Sequence, residues 1–176
     1  LKKEGIEVNT EIGAESFEDK DGHVIVSGSQ KGEQKRYKAD QILMAVGRKP
    51  NISGISEDLG IEIDASGFIQ VDEKMRTSVE NVYAIGDVVG NPLLAHKATK
   101  EGLIAAGSIA NDEVNGSDVI PQAVFTDPEL ATVGMSKSEA QTDGKEVVEG
   151  RFPYKASGKA VAMNQDDGLV KLIVEK

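Results

Sequence analysis

Cysteine is absent from the 176 residues, and so is tryptophan. Without a thiol the chain can make no disulfide, no thiolate metal site and no cysteine nucleophile. Histidine is nearly as scarce. His23 and His96 are the only two, too few and too far apart to suggest a histidine-built metal centre. No apolar run approaches the roughly 18 to 20 residues of a membrane span, and no secretory signal is visible. Positive charge is in deficit: 20 basic residues face 30 acidic ones, for a net charge of −10. That balance argues against nonspecific binding to nucleic acid or anionic membranes. A cytoplasmic protein with neither nucleic acid nor membrane as partner is the expectation.

What is present is ordinary globular composition, 39% hydrophobic and 28% charged, enough for one large domain or parts of two or three. The first residue is Leu1, and "LKKEGIEV" reads as the tail of a helix entering a strand. The chain is therefore expected to be a piece of something longer. Residues 5 to 46 read as a β-rich meander, with Val24 and Val26 on one face of "HVIVSG" and a polar hairpin-like connection at "SGSQKGEQKR". The meander ends in the continuous apolar run Ile42 to Val46, of the type found in a buried strand.

"GIEIDASGFIQVD" predicts two short strands around Ala65-Ser66-Gly67, and "NVYAIGD" predicts another buried strand. A helix is expected from near Leu94, with Leu94, Ala98, Gly102, Ala105 and Ile109 on one small-residue face, ending within residues 111 to 117. From about Ile120 the pattern becomes α+β. "QAVFTDPELATVG" reads as strand, Asp-Pro turn and strand. "SKSEAQTDG" reads as a short helix with Ser136 and Glu139 at capping-box spacing. "EVVEGRFPY" and "GLVKLIVEK" read as antiparallel strands. The fold class is thus α/β followed by α+β, without internal repeat or low-complexity segment.

The residues that could carry chemistry are few. In "TSVENVYAIGDVV" a strand stops at Gly86, and Asp87 offers a carboxylate at its carboxyl end, where α/β folds bind ligands. A turn or helix-capping aspartate is the competing reading. Gly47 follows the Ile42–Val46 run and permits close backbone approach. Arg48 and Lys49 read as a solvated loop pair. Glu129 has no titratable partner in view and is not taken as a catalytic acid. His23 is expected in an exposed turn beside Asp21-Gly22.

Four stretches in order and spacing carry a resemblance: "AVGRKPN" (45–51), "TSVENVYAIGD" (77–87), "LLAHKATKEG" (93–102) and "AVFTDPELATVG" (123–134). Together they resemble the pyridine-nucleotide–disulfide oxidoreductases, and "LAHKATKEG" points to the dihydrolipoamide dehydrogenase branch. The resemblance spans essentially the whole chain, including "GRFPYKASGKA" and "DGLVKLIV". It implies a partial FAD/NAD-binding, Rossmann-like oxidoreductase with the start of an interface domain. Asp87 would then accept a hydrogen bond from a ribityl hydroxyl of FAD. Leu93, Leu94, Ala95 and His96 would place a helix start at the flavin ring. Ile12 and Gly47 would line the NAD site, although Ile12 reads equally well as core. His96 is not implied as the general base, because the family's catalytic histidine lies in an "HPHPT"-like segment that does not occur here. Gly158-Lys159 stands where the family often has arginine, and lysine does not reproduce the hydrogen-bond geometry of a guanidinium.

The resemblance further implies three segments: the end of an NAD domain (1–49), a central FAD-contacting segment (50–118) and the first part of an interface domain (119–176). It implies a homodimer, and lipoyl domains or the acyltransferase core of 2-oxo acid dehydrogenase complexes as partners. No G-x-G-x-x-G loop and no redox cysteine pair occurs in these residues, so the chain alone is expected to be inactive. Two alternatives stay open. One is another flavin disulfide reductase, mercuric or glutathione reductase-like. The other is a non-catalytic dimerisation module.

Overall fold

Residues 12 to 39 fold into an antiparallel meander of three strands, β1 (Ile12–Lys20), β2 (His23–Gln30) and β3 (Glu33–Ala39). Both connections are two-residue turns in which both residues have positive φ: Asp21 and Gly22 at 53° and 76°, Lys31 and Gly32 at 52° and 84°. Paired positive φ values give the turn whose twist matches that of the flanking strands, which is why glycine holds the second position each time. β1 pairs with β2 from Ile12↔Gln30 to Lys20↔His23, with a break in register between Ala14 and Ser16. Gly28 cannot be substituted at that break, since a Cβ there would lie 2.2 Å from the Gly13 carbonyl oxygen.

The computed structural model describes residues 1–55, 59–112 and 119–176. It divides into two units, Leu1–Arg48 and Lys49–Lys176. In the first, two expectations are corrected. Ile42 to Val46 is not a strand, and Leu43 is 91% and Val46 85% exposed. An apolar run becomes a strand only when a neighbour takes its N–H and C=O groups. Among the described residues none does. His23 is not in the turn; it opens β2, half-buried, with Nδ1 3.1 Å from Asp40 Oδ1.

The second unit begins with two turns built the same way. Asp64 Oδ1 accepts the N–H groups of Ser66 and Phe68. Asp72 Oδ1 accepts those of Lys74 and Arg76. A short aspartate side chain here substitutes for a backbone acceptor and folds the chain back on itself. The expected strand pairs reduce to single bridges, Ile63↔Ile69 and Arg76↔Tyr83. The "NVYAIGD" stretch is correspondingly no buried sheet strand. It runs extended from that bridge into a single 3-10 turn, Gly86–Val89. Ile69, only 4% exposed, anchors this region and donates its N–H to the Val88 carbonyl.

Helix α1 (Ala95–Ala110) starts after Leu94 and stops at Asn111, which takes the left-handed conformation at φ 57°. Its buried face departs from the expected stripe. Ala105 is buried, but so are Lys97 and Glu101, whereas Ile109 is 63% exposed. The helix does approach its neighbour closely: a methyl at Gly102 would sit 3.5 Å from Ile85 Cδ1. The expected helix terminator falls partly on residues 113–118, outside the described residues.

Beyond it, β4 (Gln122–Val124) and β5 (Leu130–Thr132) pair antiparallel around the Asp-Pro turn. Helix α2 (Lys137–Thr142) carries the full capping box: Ser136 Oγ accepts the Glu139 N–H, and Glu139 Oε2 accepts the Ser136 N–H. Then come β6 (Val147–Pro153), the short helix α3 (Gly158–Ala162) and β7 (Leu169–Glu175). β6 and β7 pair from Val147↔Glu175 to Pro153↔Leu169. Phe125, Phe152, Leu172 and Val174 in this portion are all at least half exposed.

Candidate functional site

Asp87 sits within the 3-10 turn Gly86–Val89, with its side chain exposed. Two glycines make this turn possible. Gly86 has φ 82°, and Gly90 has φ 105° with ψ −170°, a combination that is essentially reserved for glycine. Such a turn leaves backbone polar groups pointing sideways, and each needs a partner.

Helix α1 supplies those partners through two charged side chains. Lys97 Nζ donates to the Gly86 carbonyl at 3.2 Å and to the Gly90 carbonyl at 2.9 Å. It also pairs with Glu101 Oε1 at 2.7 Å. The other carboxylate oxygen, Oε2, accepts the Gly86 N–H at 2.7 Å. Both side chains are nearly sealed from solvent, at 8% and 12% exposure. All three ammonium donors and both carboxylate oxygens are used. The backbone at both ends of the 86–90 segment is thereby fixed to α1, while Asp87 itself is exposed.

The start of α1 is also placed by this packing. A methyl at Gly86 would meet Ala98 Cβ at 3.6 Å, so turn and helix touch. Leu94 is the extended N-cap residue, and no side chain caps the helix; its first turn contains no acidic residue. Ala98 N–H bonds to the Leu94 carbonyl. The N–H groups ahead of it have no intrahelical acceptor, as at any helix start. They add to the positive end of a 16-residue helix dipole. Leu93 and Leu94 are half-buried; Ala95 and His96 are exposed. His96 Nε2 lies 2.7 Å from the Pro121 carbonyl oxygen. That oxygen only accepts, so Nε2 carries the proton. The imidazole thus ties the first turn of α1 to the start of the β4–β5 segment.

The sequence-predicted residues fall in two groups. Asp87 and Leu93 to His96 share one turn–helix assembly. Ile12 and Gly47 belong to the first unit. Ile12 is half-buried, opens β1 and pairs with Gln30. Gly47 has φ 106°, and a Cβ there would meet nothing within 4 Å. Its glycine is required by backbone conformation, not by a crowded approach. Lys97 and Glu101 were not among the expected residues. The available signal was their i, i+4 spacing, which usually marks an exposed helix pair.

Charge elsewhere is structural. Burial opposes ionisation of Asp72, but the Arg76 side chain and the N–H groups of Arg76 and Lys74 outweigh it. Its carboxyl is held below the ordinary range. Among the described residues no cluster of three or more histidine, aspartate or glutamate side chains could hold a metal. The turn–helix assembly can offer a carboxylate acceptor to a hydroxyl and helix N–H groups to an electron-rich atom. It offers no nucleophile.

Residues 1–102 match the family model described as pyridine nucleotide-disulphide oxidoreductase. Residues 120–176 match the dimerisation domain of the same group. A dihydrolipoyl dehydrogenase from Geobacillus stearothermophilus is 44% identical over 178 residues, covering 100% of this chain and 38% of that protein. One from Thermus scotoductus is 45% identical over 98% of this chain and 38% of its own length. The chain thus spans well under half the length of these relatives. Among solved structures, LpdA from Mycobacterium tuberculosis superposes with a TM-score of 0.82 at 27% identity, over 94% of this chain and 36% of that one. The HOCl-induced flavoprotein disulfide reductase RclA from Escherichia coli superposes at 0.76 and 26% identity, over 93% and 38%.

Proposed function

This chain belongs to the pyridine nucleotide–disulphide oxidoreductase family, and from that membership we propose that it is the middle section of an FAD-dependent dihydrolipoyl dehydrogenase. The parent would oxidise protein-bound dihydrolipoamide, with NAD⁺ as final acceptor. The observation that carries the flavin reading is the turn Gly86–Val89 fastened to the uncapped start of α1. It pairs an exposed Asp87 carboxylate with a helix N-terminus. The substrate reading is supported by 44–45% identity to two dihydrolipoyl dehydrogenases across 98–100% of the chain.

In this proposal residues 1–49 close the NAD domain, 50–118 contact FAD, and 119–176 open the interface domain. Asp87 accepts a ribityl hydroxyl; a charged acceptor holds it more strongly than a neutral one does. Leu93 to His96 set the helix start against the flavin ring, where the positive dipole end favours electron density. Ile12 and Gly47 contact NAD. FAD, when bound, supplies the two-electron relay between dithiol and nicotinamide. The residues of this chain bind and orient; none handles the thiol proton. The parent is proposed to be a cytoplasmic homodimer meeting lipoyl domains or the acyltransferase core of a 2-oxo acid dehydrogenase complex. The dimerisation-domain match over 120–176 supports the dimer. No helix among the described residues is long and apolar enough to cross a membrane.

The test is to purify the product of the full gene and measure released FAD, native mass and NADH formation from dihydrolipoamide. A flavin-free protein would sink the cofactor reading. A flavin-loaded enzyme that ignores dihydrolipoamide but reduces another disulfide would favour a second reading, supported by the RclA superposition.

A further inference from the structure

We propose that Lys97 and Glu101 are positioning residues for the flavin site: their buried ion pair sets the Gly86–Gly90 backbone so that Asp87 is aimed at its ligand. The inference rests on the reading of Asp87 as a ligand-binding carboxylate. It adds the device that holds it.

The geometry is specific. Asp87 is exposed and lies on a turn whose two ends are glycines with positive φ. Glycine at both ends gives the turn its shape and also leaves it loose, because glycine restricts the backbone least. A flexible turn would pay the ordering cost when ligand binds, and a preordered one does not. Lys97 and Glu101 remove that freedom at both ends. Lys97 Nζ holds the carbonyls of Gly86 and Gly90, while Glu101 Oε2 holds the Gly86 N–H. The Gly86 carbonyl belongs to the same rigid peptide plane as the Asp87 nitrogen. Fixing one therefore fixes where the Asp87 Cα begins. Neither charged side chain is itself exposed enough to serve as a ligand contact, at 8% and 12%.

The experiment uses the full-length protein and FAD itself as probe, with affinity read by flavin fluorescence. Lys97→Met should raise the FAD dissociation constant by about tenfold or more, as expected for losing roughly one hydrogen bond's worth of orientation. In an Asp87→Ala background the same substitution should change it by less than about threefold, because coupled residues are non-additive. A merely structural lysine would weaken binding equally in both backgrounds. In flavin-free protein, Lys97→Met should also speed amide hydrogen exchange at Asp87 and Val88 while leaving β6 and β7 unchanged.

Lys97→Met strands the buried Glu101 charge, which works against folding, so Lys97→Met/Glu101→Gln is made alongside. It removes both charges and keeps an acceptor for the Gly86 N–H. Additive losses, unchanged affinity with a wild-type exchange pattern, or failure of both variants to fold would each overturn the positioning role. If Asp87→Ala alone leaves FAD binding intact, the assignment of Asp87 fails first, and with it the inference. If Asp87→Ala weakens binding but Lys97→Met does not, the inference alone fails.

Discussion

Glu101→Ala removes the centre of a buried polar cluster, and its cost can be worked from the contacts. The substitution leaves the Lys97 ammonium, 8% exposed, with only the Gly86 and Gly90 carbonyls. Breaking a buried pair by deleting one partner costs about 3 to 5 kcal/mol, because the remaining charge is uncompensated. Glu101→Ala also orphans the Gly86 N–H, a loss of about 1 to 3 kcal/mol that overlaps with the first. Glu101→Gln retains an acceptor for that N–H and should be the milder change. Adding Lys97→Met to Glu101→Gln removes the remaining charge but also the donors to the Gly86 and Gly90 carbonyls, so it should not recover the loss.

The assay is native-state hydrogen exchange at the α1 amides of the flavin-free, full-length protein. It reads local opening free energy without requiring the whole protein to unfold in one step. A loss of about 3 kcal/mol would accelerate exchange roughly a hundredfold or more. The reasoning is refuted if Glu101→Ala and Glu101→Gln are equally costly, or if Lys97→Met fully restores the stability lost in Glu101→Gln.

Four further outcomes are expected. In the full-length parent, Asp87→Ala should weaken FAD binding by roughly 1.5 to 3 kcal/mol, the value of a hydrogen bond to a charged group, or about ten- to hundredfold. His96→Ala should lower turnover less than that at saturating flavin, and dissociation constants with steady-state rates check both. The 176-residue chain alone, which has no cysteine, should give no lipoamide-dependent NADH above a boiled-protein blank and should elute from gel filtration without stoichiometric yellow flavin. Ser136→Ala should destabilise α2 by about 1 kcal/mol, as loss of an N-cap does, measured by urea titration. Its partner Glu139 has a carboxyl held below the ordinary range, first by its hydrogen bond with Ser136. The capping contribution should therefore be complete above the ordinary glutamate pKa of about 4.3 and fade as pH falls through the depressed folded value.

Much of the local structure was legible because it is specified locally. The turns at Asp21-Gly22 and Lys31-Gly32, the helix start after Leu94 and the Ser136–Glu139 capping box depend on residues within a few positions of each other. Ile42 to Val46 was not legible, because an apolar run becomes a strand only through a hydrogen-bonded neighbour that no local pattern supplies. The site was half legible. Asp87 could be located from its glycine and its place after an extended segment. What holds it could not. The sequence Lys97-x-x-x-Glu101 has the spacing of an ordinary solvated helix pair, and nothing nearby says that both residues face inward.

That burial has a reason in the turn itself. Replacing a buried ion pair with apolar side chains is often harmless or stabilising when the pair satisfies only itself. Here it does more. Bending the chain tightly enough to present Asp87 turns the Gly86 N–H and the Gly86 and Gly90 carbonyls toward α1. Two hydrophobic residues would strip the Gly86 N–H and the Gly90 carbonyl of these partners, at about 1 to 3 kcal/mol each, and would leave the Gly86 carbonyl only its bond inside the 3-10 turn. An ammonium has three donors, and a carboxylate has two oxygens. Two of those donors meet the carbonyls, one oxygen meets the N–H, and the remaining donor and oxygen meet each other at 2.7 Å. A neutral amide pair could match the hydrogen bonds but not their charge-assisted strength. The charged pair therefore follows from the conformation of the turn.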